Sequence, residues 1–541
     1  MRRYRPLPAV VFAVVLSALV GGFFGKSALA TDDRVPAHYK TFTAALSAIE
    51  SSYVEEVKSD SLIYGAVRGM LATLDPHSSF FTPKEYAQMR ERQEGHYYGI
   101  GITIVTIDGD ITALSVFEGS PAYKVGLRRG DIIAEIFGES AKGWTTEQAM
   151  LKLRGPRGTP VRIGIRRRGY QAVIPIELTR DQVTIPTVPA YFMIDATTGY
   201  VRMQDFGENT DRDVNRALHD LAGQGMTRLL FDLRGNPGGP LDQAIKVANE
   251  FLPKGAAIVE TKGRISNSDA KYVAEEDGEF LDIPMVLLAN RDSASASEIV
   301  TGALQDHDRA YVVGETTFGK ALVQSVYRIA NQAGLALTTA HYYTPSGRLI
   351  QRPWDETFDE YLSYRLKDQD QDPVHQPQDL KHTDAGRPVY GGGGIEPDRR
   401  VAGPLEGFKP SRFGRLLASR QAFESFAQNY SAVGDNRIAG ASVGRKRVAE
   451  NFVVDDAMVA DFRAQLAADK IAVDDAAFQA DLPFIKAMIR FRIDEAVFGM
   501  ADARRHLIAV DPQTQVALTT FGQARALLDM KRDAVARRAA N

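Results

Sequence analysis

The sequence contains no cysteine among its 541 residues. This absence excludes a thiol nucleophile, a disulfide, a cysteine-bound metal and a lipidated cysteine. Histidine is also scarce, with nine residues, and none of them shows the spacing of a metal-binding motif such as H-E-x-x-H. We therefore expect chemistry that uses no metal and no other cofactor.

The chain also lacks an excess of charge of either sign. Its 65 Lys and Arg residues against 68 Asp and Glu residues leave a formal net charge of -3. Nucleic-acid-binding proteins normally carry a basic patch or stripe, so we expect no nucleic-acid partner. Hydrophobic residues make up 44% of the chain and charged residues 25%, which is typical of a globular protein with several domains.

The first 30 residues have the layout of a secretory signal peptide. Arg2, Arg3 and Arg5 form a basic start, residues 9–24 form an apolar run, and residues 28–30 offer a small-x-small cleavage site. The alternative is an N-terminal membrane anchor that is retained, because the apolar run approaches spanning length. Both interpretations predict export, to the periplasm or cell envelope of a bacterium.

Hydrophobic periodicity divides the rest of the chain into four parts. Residues 36–94 are predicted to be helical, and residues 95–182 to form a β-rich module with Gly and Asp turns. Residues 184–404 alternate between strand and helix patterns, with a polar insertion around residues 355–386. Residues 405–541 are predicted to be helical again. The expected fold class is α/β (α+β).

Three serines alternate with alanines where a strand-like run meets a helix-like segment, in "PMVLLANRDSASASEIVTGAL". One interpretation is structural, because Ser295 and Glu298 fit an S-x-x-E capping box. The other is that Ser295, held at a tight strand-to-helix turn, attacks a carbonyl. The N–H groups at the start of the helix would then stabilise the oxyanion. A serine hydroxyl needs a base for this reaction.

Histidine is the usual base, but neither His307 nor His341, the two nearest in sequence, belongs to a recognisable triad motif. Lysine is the other known option, and it requires burial that leaves its amine neutral. Lys320 follows an apolar strand and a Gly-rich turn in "VVGETTFGKALVQ". The same stretch nearly matches a phosphate-binding loop, but Ala321 replaces the magnesium-binding hydroxyl and little room remains for a helix. Nucleotide binding is therefore the weaker interpretation.

The longer stretch "NRDSASASEIVTGALQDHDRAYVVGETTFGKALVQ" resembles the signature of the C-terminal processing peptidases, the tail-specific serine proteases. The family's serine and lysine lie 25 positions apart, which selects Ser295 and Lys320. The resemblance implies a crotonase/ClpP-like protease core, Ser295 as nucleophile, Lys320 as base and Gln324 as the residue that orients the amine. Ser293 and Ser297 are then turn and cap residues.

The local conformation between Lys320 and Gln324 stays open at this point. In a helical turn the two side chains would be neighbours. In an extended segment they would lie about 13 Å apart along the strand, and direct contact would be doubtful.

Further stretches strengthen the resemblance. "FDLRGNPGGPL" is similar to the family's Gly-rich loop and implies that Gly238 or Gly239 supplies one oxyanion donor, with the amide of Ala296 as the other. "AHYYTPSGRLIQ" and "GGGGIEPD" also match and are expected to frame the site. Asp306 resembles a supporting acidic position, with a solvated helix face as its alternative role.

The β-rich module resembles a PDZ domain through "YGIGI" and "GSPAYKVGLRRGDIIAEIFG". In such a domain a glycine-containing loop turns N–H groups toward the terminal carboxylate of a peptide, which adds as a strand to the sheet edge. The predicted peptide-binding residues are Tyr98, Gly99, Ile100, Gly101 and Ile102.

Together these features predict an exported serine endopeptidase whose partners are proteins or peptides with apolar C-termini. The alternative is an inactive PDZ scaffold that binds tails on the same fold, since fold does not establish chemistry. Contact with a membrane is expected only through an uncleaved leader. Family habit and the unassigned helical region predict a homodimer.

Overall fold

The computed structural model describes residues 35–107, 109–167, 170–265, 268–354, 358–367, 375–431 and 448–540. The predicted leader, residues 1–30, lies outside the described residues, as do residues 355–357 and 368–374 of the predicted insertion. The chain forms two compact units, Met1–Thr82 and Pro83–Asn541.

The first unit is mainly helical, as its sequence predicts. Its elements are helices α1 (Val35–Ser52) and α2 (Ser59–Ala72) and the short strand β1 (Ser79–Phe81). Phe80 is buried and packs against the ring of Tyr64, with 4.9 Å between the ring centroids. The guanidinium of Arg68 lies 5.8 Å from the centroid of the Phe80 ring.

The helix α1 presents a stripe of large apolar side chains to solvent. The stripe consists of Tyr39, Phe42 and Ile49, which are 68%, 45% and 42% exposed. Their spacing of three and seven residues places them on one side of the helix. Contiguous exposed apolar surface of this kind marks an interaction site more often than a solvated face.

The second unit begins with helix α3 (Pro83–Glu94) and continues into the β-rich module. The module contains strands β2 (His96–Gly99), β3 (Ile102–Ile107), β4 (Asp110–Val116), β5 (Ile132–Ile136), β6 (Glu139–Ser140), β7 (Pro160–Arg166), β8 (Ile174–Thr179) and β9 (Asp181–Thr184), with helices α4 (Pro121–Lys124) and α5 (Thr146–Leu153). The main sheet has the order β3-β4-β5-β7-β8. Val161, Ile163 and Ile165 alternate along β7 and are buried in the core of the module.

The α/β part follows, with two sheets and the helices between their strands. Its elements are β10 (Ala190–Met193), β11 (Thr198–Arg202), α6 (Thr210–Gly223), β12 (Arg228–Asp232), α7 (Leu241–Asn249), β13 (Ala257–Gly263), β14 (Ala270–Val273), β15 (Met285–Ala289), α8 (Ala296–Asp306), β16 (Tyr311–Gly314), β17 (Leu322–Arg328), β18 (Gly334–Tyr343), α9 (Asp359–Ser363), β19 (Leu380–His382), β20 (Pro388–Tyr390) and β21 (Arg399–Arg400).

The larger sheet has the order β10-β11-β12-β15-β16-β21. The strand β10 is antiparallel to β11, and the remaining neighbours are parallel. The second sheet includes β17, β18, β13 and β14 in that order. Helices α6, α7 and α8 pack on one face of the larger sheet and share a core with it.

The last part of the chain is helical, in agreement with the sequence pattern. It contains α10 (Arg412–Ser419), α11 (Ala422–Ser431), α12 (Asp456–Ala468), α13 (Asp475–Ala480), α14 (Leu482–Val497), α15 (Met500–Ile508), α16 (Pro512–Leu518) and α17 (Phe521–Ala540). The first six of these helices surround a core of their own. No helix within the described ranges is both long and apolar enough to span a bilayer.

The central strand β15 shows why both faces of the larger sheet are covered. Its residues Met285 and Leu287 belong to the core shared with α6, α7 and α8. Val286 and Leu288 belong to a second core, which Ile508 and the helices α16 and α17 close from the opposite face. A parallel strand buried on both faces reads as a continuous apolar run, and this run is what the sequence shows at residues 284–289.

Three neighbouring parallel strands bring the conspicuous motifs together. In the register of the sheet, Asp232 of β12 pairs with Leu288 of β15, and Ala289 of β15 pairs with Gly314 of β16. The carboxyl ends of the three strands therefore lie at one edge of the sheet, where open α/β sheets bind their ligands. The segments that leave this edge carry the Gly-rich loop, the three serines and Lys320.

Candidate active site

The Gly-rich loop after β12 is bonded directly to the serine segment after β15. The carbonyl of Asn236 accepts hydrogen bonds from the Ala294 N–H at 3.0 Å and from the Ser297 hydroxyl at 3.0 Å. The side chain of Asn236 accepts the Gly238 N–H at 2.9 Å. A single buried asparagine therefore fixes both the loop and the segment that it faces.

Gly238 makes the closest approach between the two segments. Its φ angle is 93°, and a Cβ atom at this position would lie 2.8 Å from the Cβ of Ser295 and 2.8 Å from the amide nitrogen of Ala296. Only glycine fits such a contact and such a φ angle. The N–H of Gly238 already donates to Asn236. Gly239 is therefore the better placed of the two candidate oxyanion donors. Among the described residues, the N–H groups of Gly239 and Ala296 donate no hydrogen bond.

Ser295 stands at the start of α8 with a φ angle of 55°, which is unusual for a residue other than glycine. Such backbone strain persists only where the surroundings enforce it, and it is common at functional sites. The flanking serines have structural bonds. The Ser293 hydroxyl accepts the Asn290 N–H and donates to the Leu233 carbonyl, each at 2.9 Å, so it is a turn residue as predicted. The Ser297 hydroxyl donates to the Asn236 carbonyl from within α8, so it ties the helix to the Gly-rich loop and does not cap it.

The carboxyl group of Glu298 is fully buried and joins the two candidate catalytic segments. It accepts four hydrogen bonds: from the N–H groups of Ser295 (2.8 Å), Lys320 (2.9 Å) and Gly319 (2.6 Å), and from the Thr317 hydroxyl (2.6 Å). Burial raises the pKa of Glu298, while these hydrogen bonds act in the opposite direction. The sequence interpretation had assigned this glutamate only to a helix cap.

Tyr342 of β18 provides a second bridge between the same two residues. Its buried hydroxyl lies 3.1 Å from the Ser295 carbonyl oxygen and 2.8 Å from that of Lys320, and donates to them. Burial raises the pKa of Tyr342 well above its ordinary value, so the phenol stays neutral and remains a donor. This tyrosine belongs to the "AHYY" stretch that was expected to frame the site.

The open question about Gln324 has a mixed answer. The chain after Lys320 enters the strand β17 instead of a helix, yet the Lys320 Nζ donates to the Gln324 Oε1 at 3.0 Å. Lys320 precedes the strand, and its long side chain reaches the glutamine, so the doubt about direct contact was wrong. A strand in this position also lacks the helix that a phosphate-binding loop requires.

Asp306 is buried, so the solvated helix face is the wrong alternative. Its carboxylate pairs with the buried guanidinium of Arg348 and accepts the Ser346 N–H at 2.9 Å. These bonds hold α8 against the segment after β18. The residue therefore supports the site through packing.

The β-rich module contains a groove of about 460 Å³ between β3 and α5. Of the five residues predicted there, Ile100, Gly101 and Ile102 line the groove, and Tyr98 and Gly99 do not. Tyr98 lies on β2, where it pairs with Gln182 of β9 and is exposed.

A positively charged side chain at the same groove, that of Arg154, was not predicted from the sequence. Arg154 lines it, stacks over the ring of Tyr97 at 4.5 Å and forms an ion pair with Glu91 of α3. The sequence feature that could have indicated this residue is its position directly after α5, which ends at Leu153.

Comparison with known proteins identifies three of these parts. Residues 197–355 match the model of peptidase family S41, and residues 88–166 match the PDZ domain. Residues 26–84 match the N-terminal domain of the activating protease CtpB.

Two curated relatives give the same result. The carboxy-terminal-processing protease of Bartonella bacilliformis is 39% identical over 307 residues, covering 56% of this chain and 70% of the relative. The carboxy-terminal processing protease CtpA of Bacillus subtilis is 31% identical over 350 residues, covering 63% and 74%. Among solved structures, a photosystem II D1 C-terminal processing protease has 30% identity, covers 57% of this chain and 88% of its own, and has a TM-score of 0.33.

The fold, the site and these matches define a serine-type protease that contains a PDZ domain. The chain belongs to the carboxy-terminal processing proteases of peptidase family S41. The resemblance drawn from its motifs is thereby confirmed, and the inactive scaffold is not favoured.

The role of Glu298 can be tested by Glu298→Gln. The amide keeps the size of the side chain, but its nitrogen cannot accept a hydrogen bond, so two of the four donors lose their acceptor. Because small displacements of reacting groups are costly, we expect kcat to fall roughly 10- to 100-fold with little change in KM. Steady-state hydrolysis of an unstructured protein substrate provides the measurement. Glu279→Gln, at an exposed glutamate, is the control, and a wild-type kcat for Glu298→Gln would contradict the assignment.

Proposed function

We propose that the chain is an exported serine endopeptidase that cleaves proteins near apolar C-termini, with Ser295 as nucleophile and Lys320 as general base. One observation carries the proposal: Glu298 and Tyr342 each bond to the backbone of both Ser295 and Lys320. The two residues stand 25 positions apart in the sequence, and their positions are fixed together. Ser–Lys pairs are a known variant of the serine protease triad.

In the proposed reaction, the neutral amine of Lys320 takes the proton of the Ser295 hydroxyl as the Oγ attacks the scissile carbonyl. The Gln324 Oε1, which accepts a hydrogen bond from the Lys320 Nζ at 3.0 Å, fixes the direction of the amine. Lys320 then gives the proton to the leaving amine, and an acyl-enzyme on Ser295 remains. A water molecule, deprotonated by Lys320, hydrolyses the acyl-enzyme and restores the serine.

The negative charge that develops on the carbonyl oxygen needs donors. We assign this role to the N–H groups of Gly239 and Ala296, since neither is used within the described residues. Ala296 is the first residue of α8, a helix of 11 residues, whose N-terminal end favours negative charge. Preorganised donors of this kind often make the largest single contribution to catalysis.

The proposed pair predicts complete dependence on both side chains. We expect Ser295→Ala and Lys320→Ala each to lower kcat at least roughly a thousandfold on an unstructured substrate, while binding of C-terminal tails stays unchanged. Peptide release followed by mass spectrometry measures the cleavage. Lys254→Ala, at an exposed lysine, is the control, and full turnover by either site variant would refute the pair.

The groove of the PDZ domain supports the proposed preference for apolar tails. Ile100, Ile102, Met150 and Leu153 give it apolar walls, and Arg154, paired with Glu91, lies at the same groove. A peptide could bind along β3 with its side chains against these walls and its terminal carboxylate near the backbone N–H groups of the glycine-containing loop. Holding a tail there raises its effective concentration at the protease site.

Tail binding can be measured by fluorescence anisotropy on the full-length Ser295→Ala variant. We expect a peptide with apolar final residues and a free carboxylate to bind roughly tenfold or more tightly than its C-terminal amide, because charge-assisted hydrogen bonds are lost in the amide. Met150→Glu should abolish binding. Leu151→Glu, on the exposed side of the same helix, should not. Equal affinity for the two peptides would argue against carboxylate recognition.

The exposed stripe on α1 supports a homodimer. An apolar surface of three large side chains on a single helix suits self-association, since a second copy offers the same stripe. This assignment concerns the N-terminal unit alone and is independent of the chemistry at Ser295.

Sedimentation equilibrium tests the dimer. We expect the wild-type chain to give twice the mass of one chain, and Phe42→Glu to give a single-chain mass because a carboxylate in the apolar interface would be desolvated. Ala44→Glu, two residues further along the same helix and on its opposite side, is exposed and should remain a dimer. A single-chain mass for the wild type would reject the proposal.

A further inference from the structure

The helical C-terminal region, which also covers one face of the larger sheet, forms a buried polar contact with the segment that precedes the Gly-rich loop. Arg234 lies directly before the Gly-rich loop, and its side chain is buried. Instead of facing the cleft, its guanidinium extends to residues 511–514, which form the beginning of α16. These residues lie far outside the part of the chain that matches the protease family model, residues 197–355.

The guanidinium of Arg234 is bonded on both sides. Toward the C-terminal region, Nη1 donates to the Asp511 Oδ2 at 2.6 Å and to the Gln513 Oε1 at 3.0 Å, and Nη2 donates to the Thr514 Oγ1 at 3.2 Å. Toward β12, Nε and Nη2 donate to the two carboxylate oxygens of Asp232 at 3.0 and 2.7 Å. Paired, fully hydrogen-bonded guanidinium groups of this kind have a single geometry.

The charges at this point balance only when Asp511 is included. Asp232 also accepts hydrogen bonds from the guanidinium of Arg202 at 2.9 Å and from the Tyr200 hydroxyl at 2.8 Å. Burial alone would raise the pKa of Asp232, but Arg234 and Arg202 hold it well below its usual range. Without Asp511, two buried guanidinium groups would share one carboxylate, and the Nη1 of Arg234 would lose its charged acceptor.

The two carboxylate oxygens of Asp511 accept hydrogen bonds from different groups. Oδ1 accepts the N–H groups of Gln513 and Thr514 at 2.8 and 3.2 Å and so caps α16. Oδ2 receives the guanidinium of Arg234 and the Thr514 hydroxyl. Because these bonds fall on different atoms, a substitution can remove the contact with the arginine while the helix cap is kept.

We propose that Asp511 is a positioning residue of the protease: through Arg234 it fixes the Gly-rich loop so that the Gly239 N–H faces the oxyanion. The inference rests on the proposed function, since it assigns a partner to the same site. The C-terminal helical region is then a part of the catalytic apparatus, although it supplies no group that touches the substrate. Displacement of the loop would reduce stabilisation of the transition state more than it reduces substrate binding, because the negative charge on the oxygen develops only in the transition state.

The test is Asp511→Asn in the full-length chain. The Asn Oδ1 can still cap α16, but its NH₂ group faces the guanidinium as a second donor. We expect kcat to fall roughly tenfold or more with KM nearly unchanged. The affinity for a peptide aldehyde, which forms a tetrahedral adduct with the serine, should fall in parallel with kcat, while the affinity for the product peptide stays constant. Asp455→Asn, at an aspartate that caps α12 and contacts no part of the Gly-rich loop, is the matched control and should behave as the wild type.

A wild-type kcat and aldehyde affinity in Asp511→Asn would overturn the inference, and so would an equal loss of aldehyde and product affinity. If Asp511→Asn does not fold, Thr514→Val decides instead. This variant removes one acceptor of the Arg234 Nη2 without leaving a charge unpaired, and a smaller, parallel loss of kcat and aldehyde affinity is expected. Failure of the proposed function would be seen separately, as cleavage by Ser295→Ala.

Discussion

The arrangement of the site depends on one buried carboxyl group, that of Glu298. Burying a carboxylate is expensive unless hydrogen bonds compensate the lost hydration, and here four donors converge on it. Two of these donors are the backbone N–H groups of Ser295 and Lys320. The cost of leaving any donor unpaired keeps both segments in place. The nucleophile and its base are therefore positioned by the same group, and Tyr342 secures their carbonyl oxygens from the other side.

The parallel sheet prepares this arrangement. Because β12, β15 and β16 are neighbours and run in the same direction, the three loops that follow them begin within a few residue widths of each other. Close contact then requires small residues at the meeting points. Gly238 against Ser295 and Ala296 is the clearest case, since any Cβ atom there would collide. The backbone of Ser295 is strained, with a φ angle of 55°. This strain accompanies the sharp turn from β15 into α8 at which the serine stands.

The C-terminal helices contribute to more than the burial of the sheet. They cover the second face of the larger sheet, and they also touch the PDZ domain. Arg129 of that domain lies 3.4 Å from the carboxylate of Glu495 and 3.5 Å from that of Glu424. Burial lowers the pKa of Arg129, while the two glutamates act against this. One helical region thus packs against the domain that is proposed to capture the tail and against the loop that is proposed to stabilise the transition state.

Sequence patterns alone predict the features that depend on near neighbours along the chain. The apolar run at residues 284–289 predicts a buried strand, the S-x-x-E pattern predicts the bond between Glu298 and the Ser295 N–H, and the Gly-rich loop predicts a close approach of backbone. The role of Lys320 came from the family resemblance and its spacing, because no local pattern marks a lysine as a base. The contacts across the sheet are seen only in the folded chain: Glu298 with Lys320, Tyr342 with Ser295 and Lys320, and Arg234 with Asp511. Hydrophobic periodicity and capping act over a few residues, whereas these contacts join segments that strand order and packing bring together.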